Sequence, residues 1–318
     1  MSGVSAAKLA SKFASALTLA VLGSAAVFFA MRAGQGDPAL AALGEQATPQ
    51  AVAAFRQQWR LDDPLLVQYA RWLGAAATGD FGRSMTVAGG TPIMSLIASR
   101  LPNTLFIGVY AILIAVAVSL IAGTVSALRR GTLVDTAATS LAVLGISMPD
   151  FWLSYVLVYA LALGLGWFPS YGFTPPGDSF SGALYSGFLP ALAIAAPMAA
   201  AFTRILRTAL LETLHRDYVR VARSMGLGEA FVFTHYVLRN ALIPYVTVIG
   251  LQVRYLLGGT VVVERIFGVP GVGALMVDAA FGRDYALVQA CALTFLLSVL
   301  LVNFVVDLIV AALNPRQA

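Results

Sequence analysis

The segment DYVRVARSMGLGEAFVFTHYVLRNALIP, residues 217–244, decides how this chain is interpreted, because long apolar runs flank it on both sides. The chain has 318 residues, of which 59% are hydrophobic and only 11% are charged. A basic, glycine-containing stretch in so apolar a chain indicates a short helical region that lies outside the apolar helices on either side of it.

Residues 216–227 fit a short amphipathic helix. At 100° per residue, its arginines fall at i, i+4 and i+7 and form a basic stripe: Arg216, Arg220 and Arg223. The apolar residues lie opposite this stripe: Tyr218, Val221, Ala222 and Met225. Gly226 and Gly228 allow a left-handed stop, and Glu229 begins a second helical piece. Asn240 and Pro244 mark the entry into the next apolar run.

Two interpretations of this amphipathic helix remain open on the residues alone. It could lie in the membrane interface, with its arginines on lipid phosphates and its apolar face in the headgroup boundary. It could instead project from the membrane into the cleft of a partner protein, with the apolar face inward and the basic edge on acidic groups at the rim of the cleft.

The rest of the chain predicts an all-α integral membrane protein. Mean hydropathy is +0.83, and the apolar runs reach about 20 residues, the length that crosses a bilayer. These runs do not alternate as β-barrel strands do, and a helix satisfies its own backbone hydrogen bonds in lipid. We predict six spans, the third bent near Pro149: Phe13–Met31, Thr104–Leu128, Leu133–Leu165, Phe188–Leu211, Ala241–Val263 and Leu287–Leu313.

Charge predicts the orientation of the spans. Arginine and lysine exceed acidic residues in the pieces that share a side with the N-terminus, whereas the segment after the first span is nearly balanced. Both termini are therefore expected in the cytoplasm of a bacterial cell, with the chain in its inner membrane. The first span could also be a secretory signal peptide, but its apolar region exceeds the usual length of about 7–15 residues.

Three regions follow from this arrangement. Residues 1–31 form the cytoplasmic N-terminus and the first span, residues 32–101 an external, periplasmic segment, and residues 102–318 a five-helix core with a cytoplasmic loop at about 212–240. In the external segment, Thr48 and Pro49 are typical of a helix start, and Val52, Phe55 and Trp59 share one face of that helix. This segment either packs on the bundle or docks an external partner.

The loop resembles the coupling loop of ABC-importer permeases, and the resemblance extends over nearly the whole chain. The blocks that carry it occur in order: LDDPLLVQYARWL, TGDFGRS, RLPNTL, SMPDFWL, DYVRVARSMGL, LRNALIP, GLQVRYLLGGTVVVERIF, PGVG and RDYALVQA. They are most similar to the first membrane subunit of dipeptide, oligopeptide and nickel importers. The Glu-Ala-Ala letters of the family are replaced by Arg220, Val221 and Ala222, so the salt bridges of Glu-bearing relatives are not carried over.

This resemblance implies a type I permease fold and four kinds of partner: a second permease subunit, two ATPase subunits, an external solute-binding protein and a peptide-like substrate. The residues implied to couple to an ATPase are Arg216, Arg220, Val221, Ala222, Arg223, Met225, Gly226, Leu227, Gly228 and Glu229. The segment TVVVERIFGVPGVG, residues 260–273, is expected to be an external loop, with Pro270 flanked by glycines. It is either an outer gate that contacts the binding protein, through Glu264, Phe267 and Pro270, or an ordered external turn.

Charged residues inside predicted spans indicate a path or a partner, because their desolvation is costly. Asp150 follows the helix-breaking Pro149, and Arg254 lies in the fifth span near Gln252. Asp150 and Arg254 either pair with each other or line a translocation path, together with Gln252. A cation near the path would suit a substrate carboxylate.

The chain lacks the motifs of an ATP-hydrolysing enzyme. It has no G-x-x-x-x-G-K-[ST] sequence, so we expect ATP and Mg²⁺ to be used by partner subunits and no cofactor or metal in this chain. Its single cysteine, Cys291, excludes an internal disulfide. A permease for nickel, another chelated metal or another small solute remains an alternative, as do a proton-coupled carrier and a membrane scaffold or receptor without transport.

Overall fold

The computed structural model describes residues 6–33 and 36–313, without the side chains of residues 6–13, 16, 253–255, 257 and 306–313. Thirteen α-helices lie in this described part: α1 Ala6–Ala33, α2 Pro38–Leu43, α3 Pro49–Trp59, α4 Leu65–Ala77, α5 Ile93–Leu128, α6 Leu133–Ser147, α7 Asp150–Leu157, α8 Phe180–Leu214, α9 Asp217–Ser224, α10 Glu229–Val232, α11 Arg239–Phe267, α12 Val272–Phe281 and α13 Tyr285–Leu313. Short π-helical segments, Val158–Gly164 and Phe233–Leu238, follow α7 and α10.

Three described helices are long and apolar enough to cross a membrane: Ile93–Leu128, Phe180–Leu214 and Tyr285–Val305. The number rises to six if three bent helix pairs each count as one span. The described helices therefore include the predicted apolar segments, while the count of six spans stays a prediction. The fifth predicted span lies within α11, which continues to Phe267.

The third predicted span is broken where the sequence places Pro149. Helices α6 and α7 meet at 111° across a break between Ser147 and Asp150. The break has a local cause, because a residue before proline is driven out of the helical region. Met148 accordingly has an extended backbone with ψ of 124°. The predicted bend is confirmed.

The described residues group into two compact units. One comprises those of Gly3–Thr104 and Pro270–Leu300, and the other those of Leu105–Val269 and Leu301–Ala318. Residues 270–300 thus group with the N-terminal part of the chain. The three regions predicted from the sequence are consecutive and did not anticipate this grouping.

In the first unit, the carboxylate of Asp284 joins the loop after α4 to the start of α13 by hydrogen bonds. Asp284 and Ser84 are both fully buried, and the Ser84 hydroxyl donates to an Asp284 carboxylate oxygen at 2.6 Å. The backbone N–H groups of Met85 and Thr86 donate to the same oxygen at 2.8 and 3.0 Å. The other carboxylate oxygen accepts from the Leu287 N–H at 3.2 Å and so caps α13. The Asp284 carboxylate therefore stabilises both the loop after α4 and the first turn of α13.

The start of α3 agrees with the sequence signals at Thr48 and Pro49. The Thr48 hydroxyl accepts a hydrogen bond from the Ala51 N–H at 3.2 Å, and Pro49 occupies the first turn. On the shared face, the rings of Phe55 and Trp59 lie 5.9 Å apart. The predicted helix and its capping residues are confirmed.

The second unit is built around α8, which packs against α6, α7 and α11. Alanine, glycine and proline are frequent along α8, and small side chains let neighbouring backbones approach closely. A Cβ atom added at Gly123 of α5 would lie 3.2 Å from the Thr203 carbonyl oxygen of α8. Phe202, Leu206 and Leu210 of α8 are fully buried in this core.

Candidate functional site: the loop at residues 212–240

The short helix predicted at the start of the loop is present as α9, Asp217–Ser224. It ends in a Schellman turn. The Gly226 N–H donates to the Arg223 carbonyl at 2.9 Å, and the Leu227 N–H donates to the Ala222 carbonyl at 3.4 Å. Gly226 has a φ of +77°, so the predicted left-handed stop is confirmed at this glycine.

One side of α9 faces the core of the second unit. Val219 is fully buried and Ala222 is 4% exposed, and both belong to the same apolar cluster as Leu206 of α8 and Tyr245 of α11. The assignment of Ala222 to the outward apolar face is therefore wrong. Val219 and Ala222 lie three residues apart and share a helix face, but this spacing alone does not say whether that face is turned towards the core.

The other side of α9 carries apolar side chains that face away from the chain. Met225 is 74% exposed, Val221 57% and Tyr218 43%. These three residues, at i, i+3 and i+7, are called the docking face below. Nearby, Phe231 and Tyr236 are 45% and 36% exposed. Contiguous exposed apolar groups of this kind mark a surface that contacts another protein or the membrane.

The arginines of the loop are exposed, but they do not form one helical stripe. Arg216 precedes the helix with an extended backbone, whereas Arg220 and Arg223 lie within it. The Arg223 Nε lies 3.0 Å from a carboxylate oxygen of Glu229, and this ion pair joins α9 to α10. Arg220 lies 3.7 Å from Asp217, with both side chains largely exposed. The positive charge therefore lies at the edge of the docking face.

A cleft of about 530 Å³ lies between the loop and the ends of α8 and α11. Its polar lining comes from Glu212, Arg216, Asp217 and Asn240. The Asn240 amide donates to the Tyr236 carbonyl at 2.7 Å, four residues earlier in the π-helical segment that runs directly into α11. Sequence reasoning used Asn240 and Pro244 only as boundary marks and missed this cleft.

A buried ion pair stabilises the second unit and was also missed. The Arg207 guanidinium donates from Nε and Nη2 to the two oxygens of Asp135, at 2.7 and 2.8 Å. Asp135 also accepts from the Ser126 hydroxyl and the Gly131 N–H. This cluster joins α5, α6 and α8 through residues as far apart as 81 positions in sequence.

The predicted path residues lie on two packed helices. Asp150 begins α7, and a Cβ atom added at Gly259 of α11 would lie 2.8 Å from its Oδ2. Gln252 lies earlier on α11 and is partly exposed. Arg254 lies on the same helix, but its side chain is outside the described residues, so its pairing with Asp150 stays a prediction.

The external loop predicted at residues 260–273 is mostly helical, and that prediction is wrong. Helix α11 runs through Phe267 and α12 begins at Val272. Glu264 is fully buried and Phe267 is 2% exposed, so neither is available at the surface. Pro270 is partly exposed, and its carbonyl accepts from the Asn103 amide at 2.9 Å. The run TVVVERIF is compatible with a helix whose apolar residues pack against a core.

Comparison with known protein families gives two matches. Residues 115–318 match the model of the binding-protein-dependent transport system inner membrane component, and residues 8–108 match the N-terminal model of such membrane components. The chain is 37% identical to the oligopeptide transport system permease protein AppB of Bacillus subtilis, over 91% of this chain and 92% of that protein. It is 39% identical to the glutathione transport system permease protein GsiC of Escherichia coli, over 92% of each chain.

Solved structures show the same fold. The inward-facing MetNI methionine ABC transporter aligns with a TM-score of 0.56 and 18% identity, over 70% of this chain and 97% of the matched chain. An amino acid ABC transporter crystallised with histidines aligns with a TM-score of 0.54 and 16% identity, over 69% of this chain and 94% of that one. The predicted all-α fold of type I importer permeases is therefore confirmed.

Proposed function

Because the chain belongs to the family of binding-protein-dependent transport system inner membrane components, we propose that it is a permease subunit that imports di- and oligopeptides. The cargo is inferred from relatives over nearly the full chain, which are named as oligopeptide, peptide and glutathione permeases. In this proposal the chain forms half of the translocation path, and a second, related permease subunit forms the other half.

The energy source in the proposal is an ATPase subunit that binds the docking face. The observation that carries this step is the exposure of Met225, Val221 and Tyr218 on a helix that is itself firmly held. Val219, Leu227 and Val232 pack α9 and α10 on the core, and the glycine turn fixes where α9 ends. A protein cleft that buries this face would also find arginines at its edge for acidic rim groups.

Movement of the ATPase would reach the path through α8 and α11. The inward residues Val219 and Val237 share one apolar cluster with Leu210 of α8 and Ala241 of α11, so a displacement of the loop shifts both helices. Such coupling requires contacts that differ between two states of the transporter. ATP and Mg²⁺ are assigned to two ATPase subunits, and cargo delivery to an external solute-binding protein.

The path is assigned to the helices that carry Asp150, Gln252 and Arg254. Support comes from the break before Asp150 and from the cost of charged side chains in membrane helices. For Arg254 two roles stay open: a structural pair with Asp150, or a contact with the carboxylate of the cargo.

Among the three residues expected to meet the binding protein, only Pro270 is partly exposed, so the proposal retains Pro270 there.

The proposed function is tested by reconstitution of the chain with its co-expressed partner subunits in proteoliposomes. We expect uptake of a labelled peptide mixture only when ATP and the binding protein are both supplied. Uptake driven by a proton gradient without ATP would contradict the importer, and absence of uptake under every condition would favour a scaffold. Mass spectrometry of ligand that co-purifies with the binding protein then identifies the cargo.

The proposed orientation is tested by cysteine labelling of intact cells and of inverted vesicles. Ser224 of the loop and Gln58 of α3 are both exposed, and Cys291 is fully buried, which limits background. In a chain expressed without ATPase subunits, we expect Ser224→Cys to react only from the cytoplasmic side and Gln58→Cys only from outside. The opposite pattern would overturn the orientation and, with it, the site of the ATPase.

A further inference from the structure

A pocket outside the residues assigned to transport above surrounds Arg32, in the last turn of α1. It has a volume of about 390 Å³ and is lined by polar residues that include Asp37, Arg56, Gln68 and Tyr285. All of these residues belong to the first unit. None of its lining residues belongs to the unit that contains the docking face and the predicted path residues on α7 and α11.

The Arg32 guanidinium is held in place by neutral groups. Its carbon lies 3.5 Å from the centre of the Phe28 ring. Its Nε donates to the Gln68 side-chain oxygen at 3.2 Å, and its Nη1 donates to the Gln289 oxygen at 3.4 Å. The amide nitrogen of Gln68 donates in turn to the carbonyls of Leu61 and Asp63, at 2.9 and 2.8 Å. Arg32 is thus positioned without a carboxylate.

The acidic residues of the pocket are already engaged by another arginine. Arg56 lies 2.7 Å from Asp37 and 3.6 Å from Asp62. Arg32 takes part in none of the ion pairs among the described residues. A further cation lies close by, because a Cβ atom added at Gly36 would fall 1.5 Å from Nη1 of Arg283. Arg56 thus engages both carboxylates of the pocket lining, and Arg32 has no carboxylate within ion-pair distance among the described residues.

The side chain of Gln289, which is bonded to Arg32, also lacks a hydrogen-bond acceptor within the described part of the chain. Gln289 is 2% exposed, and its side-chain nitrogen has no hydrogen-bond partner among the described residues. The bond from Arg32 to the Gln289 oxygen fixes which end of the amide is the donor. A buried donor without an acceptor is costly, as is a guanidinium without a counter-charge. Gln289 does not line the pocket itself but contacts it through Arg32, so an anion bound to Arg32 would satisfy both groups if it also reached the Gln289 nitrogen.

We propose that this pocket binds a phosphate-type oxyanion, with Arg32 as its main ligand and the Gln289 amide as a second donor. The planar guanidinium matches two oxygens of such an anion, and its partly apolar surroundings strengthen the interaction. Arg32 directly follows the first predicted span, and the end of a span lies at the depth of the lipid phosphates, whichever side of the membrane it faces. The phosphate comes either from a lipid headgroup or from solution.

The test measures the thermal unfolding temperature of the complex after it has been purified in neutral detergent and freed of lipid. Three probes are added separately: phosphatidylglycerol, a galactosyl diacylglycerol with the same acyl chains, and inorganic phosphate. We expect phosphatidylglycerol to raise the unfolding temperature by about 5 °C near saturation, and the galactolipid to have no effect. A response to inorganic phosphate as well would assign a free anion, and a response to the phospholipid alone would assign a headgroup.

Two variants and a control place the response at this pocket. Arg32→Gln should abolish it, and Gln289→Glu should abolish it while it raises the unfolding temperature without lipid, because the new carboxylate pairs with Arg32. Arg60→Gln, at an exposed arginine of the same segment, should respond as the native chain does. No response to either phosphate probe, or an undiminished response in Gln289→Glu, would overturn the proposal. If Arg32→Gln does not fold, the response of Gln289→Glu alone decides the test.

Discussion

Met225→Asp is expected to abolish ATP-driven uptake while the chain remains folded and inserted. Met225 is 74% exposed, so a carboxylate there disturbs few contacts within the chain. In a partner cleft, the same carboxylate would lose packing and would be desolvated, at a cost of about 2–5 kcal/mol. That cost weakens ATPase binding by at least roughly 30-fold. Co-purification of the ATPase subunits and peptide uptake in proteoliposomes measure the effect.

The matched control for this prediction is Met225→Leu, which keeps an apolar side chain of similar size. It should retain ATPase binding and uptake close to the native values. Normal yield and unfolding temperature of Met225→Asp would show that the loss arises at the interface. If Met225→Asp keeps both ATPase binding and uptake, the docking face does not meet an ATPase, and a position on the lipid surface explains its exposure better.

The parts of the loop that could be predicted from sequence depend on local backbone chemistry. Gly226 stops α9 because a left-handed residue is needed there, and that need is visible in the letters SMGLG. Pro149 breaks the third apolar run for a similarly local reason. Neither inference requires knowledge of which helices pack together, and both agree with the structure.

The parts that could not be predicted depend on tertiary packing. An angular plot of α9 separates charged from apolar residues, but it does not show that Val219 and Ala222 face the core while Val221 and Met225 face outward. The error at Glu264 has the same origin. The proline and glycines around Pro270 mark a break that the structure confines to residues 268–271, whereas the burial of Glu264 depends on neighbours that no local pattern reveals.

The ion pair of Arg207 and Asp135 shows most clearly that tertiary contacts cannot be predicted from local sequence. Substitution of either residue is also the second change for which we expect a large effect. The two residues are 72 positions apart, and nothing in the sequence distinguishes Arg207 from the other basic residues. The Asp135 side chain is 8% exposed and that of Arg207 is 25% exposed. Loss of the arginine therefore leaves a buried carboxylate, whereas loss of the carboxylate leaves a cation that can still turn towards solvent.

Arg207→Gln is accordingly expected to destabilise the chain more than Asp135→Asn does. Breaking a buried pair from one side costs about 3–5 kcal/mol. The Ser126 hydroxyl and the Gly131 N–H still donate to Asp135, so we expect the lower end of that range. The unfolding temperature should fall by about 6 °C or more in Arg207→Gln. Arg204→Gln, at an exposed position three residues earlier on the same helix, should change it little.

A double-mutant cycle separates the pair from other effects of Arg207. If the cost of Arg207→Gln is that of an unpaired buried carboxylate, then Asp135→Asn added to it should restore part of the lost stability. Simple addition of the two single effects would mean that the residues do not interact energetically despite their 2.7 Å contact. An Arg207→Gln chain that unfolds at the native temperature would show that the cluster does not stabilise the junction of α5, α6 and α8.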